Sequence, residues 1–157
     1  MIYRWLTGSG DCRGVRFVSV AAVAAFVLAG LSSGVAHAES APGCGPVTQI
    51  GSTAYIQTGT SPSSIVASVK QFKGCGKNWA YVWVWDSWIS KGRSFEVGTA
   101  IYPDGANPAG YVRARNQQAN WSRGTDTLSK CTRASGTFVD LVGDPSFGYQ
   151  EFTDKRC

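Results

Sequence analysis

The chain reads as an all-β protein: a small disulfide-stapled β-sandwich or partly open barrel of about eight short antiparallel strands. Glycine, serine and threonine break it into short alternating runs, and four cysteines are spread along those runs. After residue 38, no stretch keeps the apolar period of about 3.6 residues that a helix needs.

Residues 1–38 read as a signal peptide that is removed. Arg13 and Arg16 precede an uncharged apolar run from 17 to 31. Ser32, Ser33 and Gly34 loosen its end, and Ala36-His37-Ala38 supplies a small-x-small cleavage site before Glu39. An uncleaved anchor is the competing reading, because the run approaches the roughly 18 to 20 apolar residues of a membrane span. No basic stop-transfer cluster follows it. Cleavage leaves residues 39–157 as a single β domain, and takes away the only histidine, His37, and the odd cysteine, Cys12. The product is expected to be secreted, extracellular, monomeric and free of the membrane.

Within 39–157, the alternating runs at 53–57, 65–72, 79–89, 94–102, 110–115, 127–133, 137–142 and 149–152 read as strands. Turn chemistry separates them: 59–62, Gly74-Cys75-Gly76, Lys91-Gly92, Asp104-Gly105, Arg123-Gly124 and Ser135-Gly136. The segment 116–120 reads as a loop or one helical turn. Asp104-Gly105-Ala106-Asn107 lacks the alternating oxygen ligands of a calcium loop and reads as a plain turn.

Cys44, Cys75, Cys131 and Cys157 permit three pairings. Cys44 with Cys75 and Cys131 with Cys157 are favoured, because these bridges close neighbouring segments; each would contribute roughly 3 to 4 kcal/mol by loop entropy. With no Cys-x-x-Cys pair and no histidine after residue 38, zinc-ligand spacing is missing, and no metal or cofactor is expected.

The strongest local pattern is Trp79-Ala80-Tyr81-Val82-Trp83-Val84-Trp85, which sends aromatic rings to one face of a strand and small aliphatic side chains to the other. If Lys91-Gly92 is a two-residue hairpin loop, Val82 faces Ile101, Val84 faces Thr99 and Trp88 faces Phe95 on a core side. The opposite side then sets Tyr81 against Tyr102, Trp83 against Ala100, Trp85 against Gly98 and Ser87 against Glu96. Tyr81, Trp83, Trp85, Glu96, Tyr102 and Arg113 are therefore the candidate ligand-binding residues, on an aromatic platform suited to a glycan or an extracellular protein. The competing reading buries these rings, since each removes roughly 150 to 250 Å² from water.

Chemistry is constrained mostly by exclusion. Ser-His-Asp and Cys-His catalysis need a histidine that is absent after residue 38. Glycoside hydrolysis needs two carboxylates at a set separation, and no such pair stands out, so no catalytic residue is assigned. Twelve Lys and Arg against nine Asp and Glu after residue 38 give a formal charge of +3, with no basic block. Tyr111, Arg113 and Arg115 alternate as a solvated strand face rather than a nucleic-acid stripe, and no nucleic-acid partner is expected. Asn120-Trp121-Ser122 matches a glycosylation sequon.

The stretch Val66-Ala67-Ser68-Val69-Lys70-Gln71-Phe72-Lys73-Gly74-Cys75-Gly76-Lys77-Asn78-Trp79 resembles a pattern in small secreted actinobacterial β-domain proteins of unknown function. That pattern is a strand, an aromatic residue, Cys, three residues, then Trp and another strand. It often carries further cysteines near its N-terminus, which this chain lacks, and it implies no activity. A secreted non-catalytic binding domain is the expected function. The alternatives are a secreted carboxylate-dependent hydrolase, with Glu96 as its carboxylate, and a secreted inhibitor or toxin-like protein.

Overall fold

A computed structural model of the chain describes residues 39–157; the expected leader, residues 1–38, lies outside the described residues. The strands are β1 (Ser40–Ala41), β2 (Gly45–Pro46), β3 (Thr48–Gln49), β4 (Ala54–Gln57), β5 (Ile65–Gly74), β6 (Lys77–Val84), β7 (Phe95–Pro103), β8 (Ala109–Arg115), β9 (Ala119–Trp121), β10 (Thr132–Asp140) and β11 (Gly148–Phe152). One helical turn, α1 (Asp86–Ile89), lies between β6 and β7. Two open antiparallel sheets face each other. The first has the order β3-β5-β6-β9, with β4 on the same edge of β5 as β3, and the second runs β11-β10-β7-β8. The β1-β2 pair forms a separate small ribbon.

Alternation decides what lies between the sheets. Ala67 and Val69 of β5 pair with Val84 and Val82 of β6, all fully buried, and they meet Val97, Ile101, Ala134 and Phe138 from the second sheet. Phe138 stacks on Phe95 at 5.6 Å and meets the edge of Trp88 at 5.0 Å. Truncating such a ring to alanine typically costs about 3 to 5 kcal/mol.

The disulfides are Cys44–Cys75 and Cys131–Cys157, the pairing favoured by short loop closure. Among the described residues, no helix is long and apolar enough to cross a membrane, and no group of three or more His, Cys, Asp or Glu is placed to hold a metal.

Three expectations are corrected. First, β6 and β7 do not form a hairpin: β6 pairs with β5 and β9, whereas β7 pairs with β10 and β8. The expected strand 79–89 stops at Val84, because the amides of Trp88 and Ile89 bond back to the Trp85 carbonyl and start a helical turn. That turn swings Trp88 into the core, and Gly92, at φ 63°, helps carry the chain to the other sheet. Val82, Val84, Trp88, Phe95, Thr99 and Ile101 are buried as expected, but the first three face the others across the sandwich rather than along a ladder.

Second, the expected strands 127–133 and 137–142 are replaced by one strand, β10, which runs unbroken through Ser135-Gly136. Gly136 is a point of contact between sheets. A Cβ there would lie 2.5 Å from Val69 Cγ2 and 2.6 Å from Val82 Cγ2.

Third, segment 116–120 is neither wholly loop nor a helical turn, since its end forms part of β9. Asn120 in the sequon is buried, and its Nδ2 donates to Thr99 Oγ1 and to the Val112 carbonyl, each at 3.2 Å. The amide that a glycan would modify is enclosed. The Asp104 turn is as expected, with Asp104 paired to Lys155 at 2.6 Å.

Candidate functional site

The outer face of the first sheet carries the odd-numbered aromatics of β6. It divides into a covered half and an open half. Over the covered half lies a strap, residues 39–47, that contains β1 and β2. Ala41 and Val47 pack on Phe72, Trp79 and Tyr81, with Cys44 and Trp121 at the margin. The strap is held by the Cys44–Cys75 disulfide, the Glu39–Lys70 ion pair and a backbone bond from Val47 to Glu39 of 2.9 Å.

Burial beneath the strap, with the Glu39 carboxylate nearby, pushes the Tyr81 phenol from its ordinary 10.0 up to about 12. The neutral phenol is the form that the fold favours. Its contribution to stability is therefore complete below pH 10 and is lost as the pH climbs toward about 12. In an alkaline absorbance titration one tyrosinate should form only near pH 12, and that late step should vanish in Tyr81→Phe.

The open half begins where the strap ends. Tyr55 of β4, Ser68 of β5, Trp83 of β6 and Ala119 of β9 stand in one row across four strands, large beside small. Ser68 and Ala119 are too short to cover the indole, so Trp83 remains 37% exposed and Tyr55 48% exposed. Trp85, half-buried, closes the group with its ring 6.0 Å from that of Tyr55 and nearly perpendicular to it. Trp83, Trp85, Asp86 and Ser87 line a shallow depression. Gln118 Nε2 donates to Asp86 Oδ1 at 2.6 Å and to the Val84 carbonyl at 3.1 Å, which fixes the polar rim against the sheet.

The six candidate residues are thus not one platform. Tyr81 is buried beneath the strap, and Trp83 and Trp85 belong to the open strip. Glu96, Tyr102 and Arg113 lie on the second sheet. There Arg113 on β8 pairs with Glu96 on β7, and the Tyr102 ring meets Phe152 edge-on at 5.0 Å. The separation follows from the failed hairpin, which alone joined the two groups. Setting large rings against small neighbours does occur, with other partners: Trp83 lies between Ser68 and Ala119, and a Cβ on Gly98 would come within 3.1 Å of the Tyr111 ring. Sequence reasoning overlooked Tyr55, although its place in an alternating run, before a serine-rich turn, put it on a strand face.

The Glu96 carboxylate is engaged by Arg113, whose guanidinium is held further above its ordinary pKa by that contact. Comparison of the chain with protein-family models, curated proteins and solved structures finds no match.

Proposed function

We propose that this protein is a secreted, non-catalytic binding domain whose open aromatic strip, Tyr55, Trp83 and Trp85, takes a glycan. The observation that carries this reading is the grouping of three rings, two of them well exposed, on a rigid sheet face beside a polar rim. Scattered exposed apolar residues are ordinary on a protein surface, but a contiguous aromatic group calls for a partner.

A sugar ring has an apolar C–H face and a hydroxyl edge. The first would rest on the Trp83 indole, while the second reaches Asp86, Ser87 and Gln118. Few rotatable bonds are frozen, because the rings and their supports are already in place. The export signal read at residues 1–38 and the two disulfides support an extracellular, oxidising location, where cell-wall and matrix glycans are found.

Isothermal titration against a panel of soluble glycans tests the proposal. At least one should bind, and Trp83→Ala should weaken it by about 10- to 100-fold, the equivalent of losing roughly 1.4 to 3 kcal/mol of ring contact. The variant should stay folded, because Trp83 lies on the face of β6 away from the core side chains Val82 and Val84. If no glycan binds, or if Trp83→Ala binds as well as the parent, the strip is not a glycan site and an extracellular protein becomes the partner to test.

A further inference from the structure

The outer face of the second sheet carries a charge that the rest of the domain does not. Alternation sends Arg113 and Arg115 of β8 and Arg133 of β10 to this side, and Glu96 of β7 is the one carboxylate that the four strands set among them. Arg123 stands at the edge of β8, where its amide donates to the Gly110 carbonyl at 2.9 Å and its Nη2 to the Tyr111 carbonyl at 3.4 Å. Glu151 of β11 is opposite Gly136 and so belongs to the inner side. Four arginines and one glutamate give this face +3, the whole formal surplus of residues 39–157. The remaining eight Lys and Arg are matched by eight Asp and Glu.

Most of these cations are unpaired. Glu96 engages Arg113, whereas Arg115, Arg123 and Arg133 belong to no ion pair among the described residues. Arg115 and Arg123 are exposed, and Arg133, half-buried, holds its guanidinium 5.7 Å from the centre of the Phe152 ring. They are also spread out. Along β7, Arg133 stands opposite Tyr102, Arg113 opposite Gly98 and Arg115 opposite Glu96. From Tyr102 to Glu96 the strand rises about 20 Å. That span is too long for one small anion and suits a chain whose charges repeat.

Between the charged ends the side chains are small: Gly98 and Ala100 on β7, Ser135 and Thr137 on β10. The Tyr111 ring lies against Gly98, where an added Cβ would come within 3.1 Å of its Cε2 and Oη. Tyr111 is nevertheless 52% exposed, so the side of the ring away from Gly98 is open to solvent. Tyr102 and Phe152 are turned edge to face against each other at 5.0 Å, which leaves Tyr111 as the well-exposed ring of this face. Single-stranded nucleic acid stacks successive bases on successive rings. One ring among arginines favours sugars over bases.

We infer that this face binds an acidic polysaccharide, a chain of sugar rings bearing carboxylates. Those carboxylates pair with Arg115 and Arg133 at the two ends and with Arg123 at the edge, as Glu96 already pairs with Arg113, and the C–H face of one sugar rests on Tyr111. Arginine suits this task better than lysine, because its planar fork meets a carboxylate with two parallel bonds. The face carries no lysine. It lies on the other sheet from the aromatic strip and does not depend on it.

The test is titration of the mature, oxidised protein with polygalacturonate, neutral dextran and oligothymidylate at one ionic strength. Polygalacturonate is expected to bind about tenfold or more tightly than either of the others, and its affinity should fall as salt is added. Arg115→Gln/Arg133→Gln should lose about tenfold or more of that affinity. Arg115→Gln alone changes an exposed side chain in no ion pair, so it should fold like the parent and still bind about threefold more weakly. Lys73→Gln/Lys77→Gln removes the same charge from the first sheet and should bind within about twofold of the parent, and Trp83→Ala should bind unchanged. Equal binding of dextran or oligothymidylate, no binding at all, full affinity in the double arginine variant, an equal loss in the double lysine variant, or a loss in Trp83→Ala alone would each overturn the assignment.

Discussion

Replacing Gly136 by valine is expected to destabilise the domain by about 3 kcal/mol, the upper part of the range for overpacking a core. The position faces the inside of the sandwich at the centre of β10, where Ala134 and Phe138 point the same way. Even a single carbon would meet Val69 and Val82 at 2.5 and 2.6 Å, and both belong to the opposite sheet. Neither valine can retreat, because each is fully buried and packed on its far side by the rest of the core. The backbone must shift, and shifting β10 disturbs its ladders with β7 and β11 together.

Chemical denaturation of Gly136→Ala, Gly136→Val, Val82→Ala and Gly136→Ala/Val82→Ala would measure this. Stability should fall from the first to the second. The double variant should be more stable than the sum of its single changes predicts, because removing the Val82 methyl groups makes room for the new one. If Gly136→Val is as stable as the parent, the sheets do not meet there, and Ser135-Gly136 is the turn that its sequence suggests.

The second large effect concerns the strap. Removing the Cys44–Cys75 bridge, which closes a loop of 31 positions, should cost roughly 3 to 4 kcal/mol on the loop-entropy estimate. Its particular consequence is local. The strap is two short strands with a small apolar contact, held otherwise by the Glu39–Lys70 pair and a few backbone bonds. In Cys44→Ala/Cys75→Ala it should open more readily than the sandwich itself, and expose Phe72, Tyr81 and Trp121 beside the strip that is already open. The late tyrosinate step near pH 12 should then move down toward 10, while the Phe138 core stays intact in the same conditions. Loss of stability with no change in the Tyr81 titration would show that the strap stays seated without its disulfide.

What was legible in the sequence was whatever depends on a strand's own alternation. Ala80, Val82 and Val84 are core because they share one side of a single strand, whichever strand lies next to it. The cystine pairs were legible for a similar reason, since short closures between neighbouring segments cost the chain least. Pairing between strands was not. Lys91-Gly92 has the composition of a tight hairpin loop, yet here it ends a helical turn that crosses between sheets. Trp88, on that turn, is buried in the core against Phe138.

Gly136 shows the same ambiguity from the other side. Serine followed by glycine marks a turn when the glycine is wanted for its backbone, and marks a close approach when it is wanted for its missing side chain. The strap left no signal, because strands of two residues have no period to read. Nor did the polar cluster of Asn78 and Thr132, which are buried by distant parts of the chain. The open strip was half legible. Trp83 and Trp85 followed from alternation, whereas Tyr55 joined them only through the β4-β5-β6 register.

The most direct test of the aromatic strip as a glycan surface is to follow the indole Nε1–H resonances while soluble cell-wall and matrix glycans are added. Trp83 and Trp85 should shift with a bound ligand, while Trp88 in the core and Trp79 and Trp121 at the strap should stay in place. Shifts confined to the strap tryptophans, or no indole shift with any glycan, would contradict it.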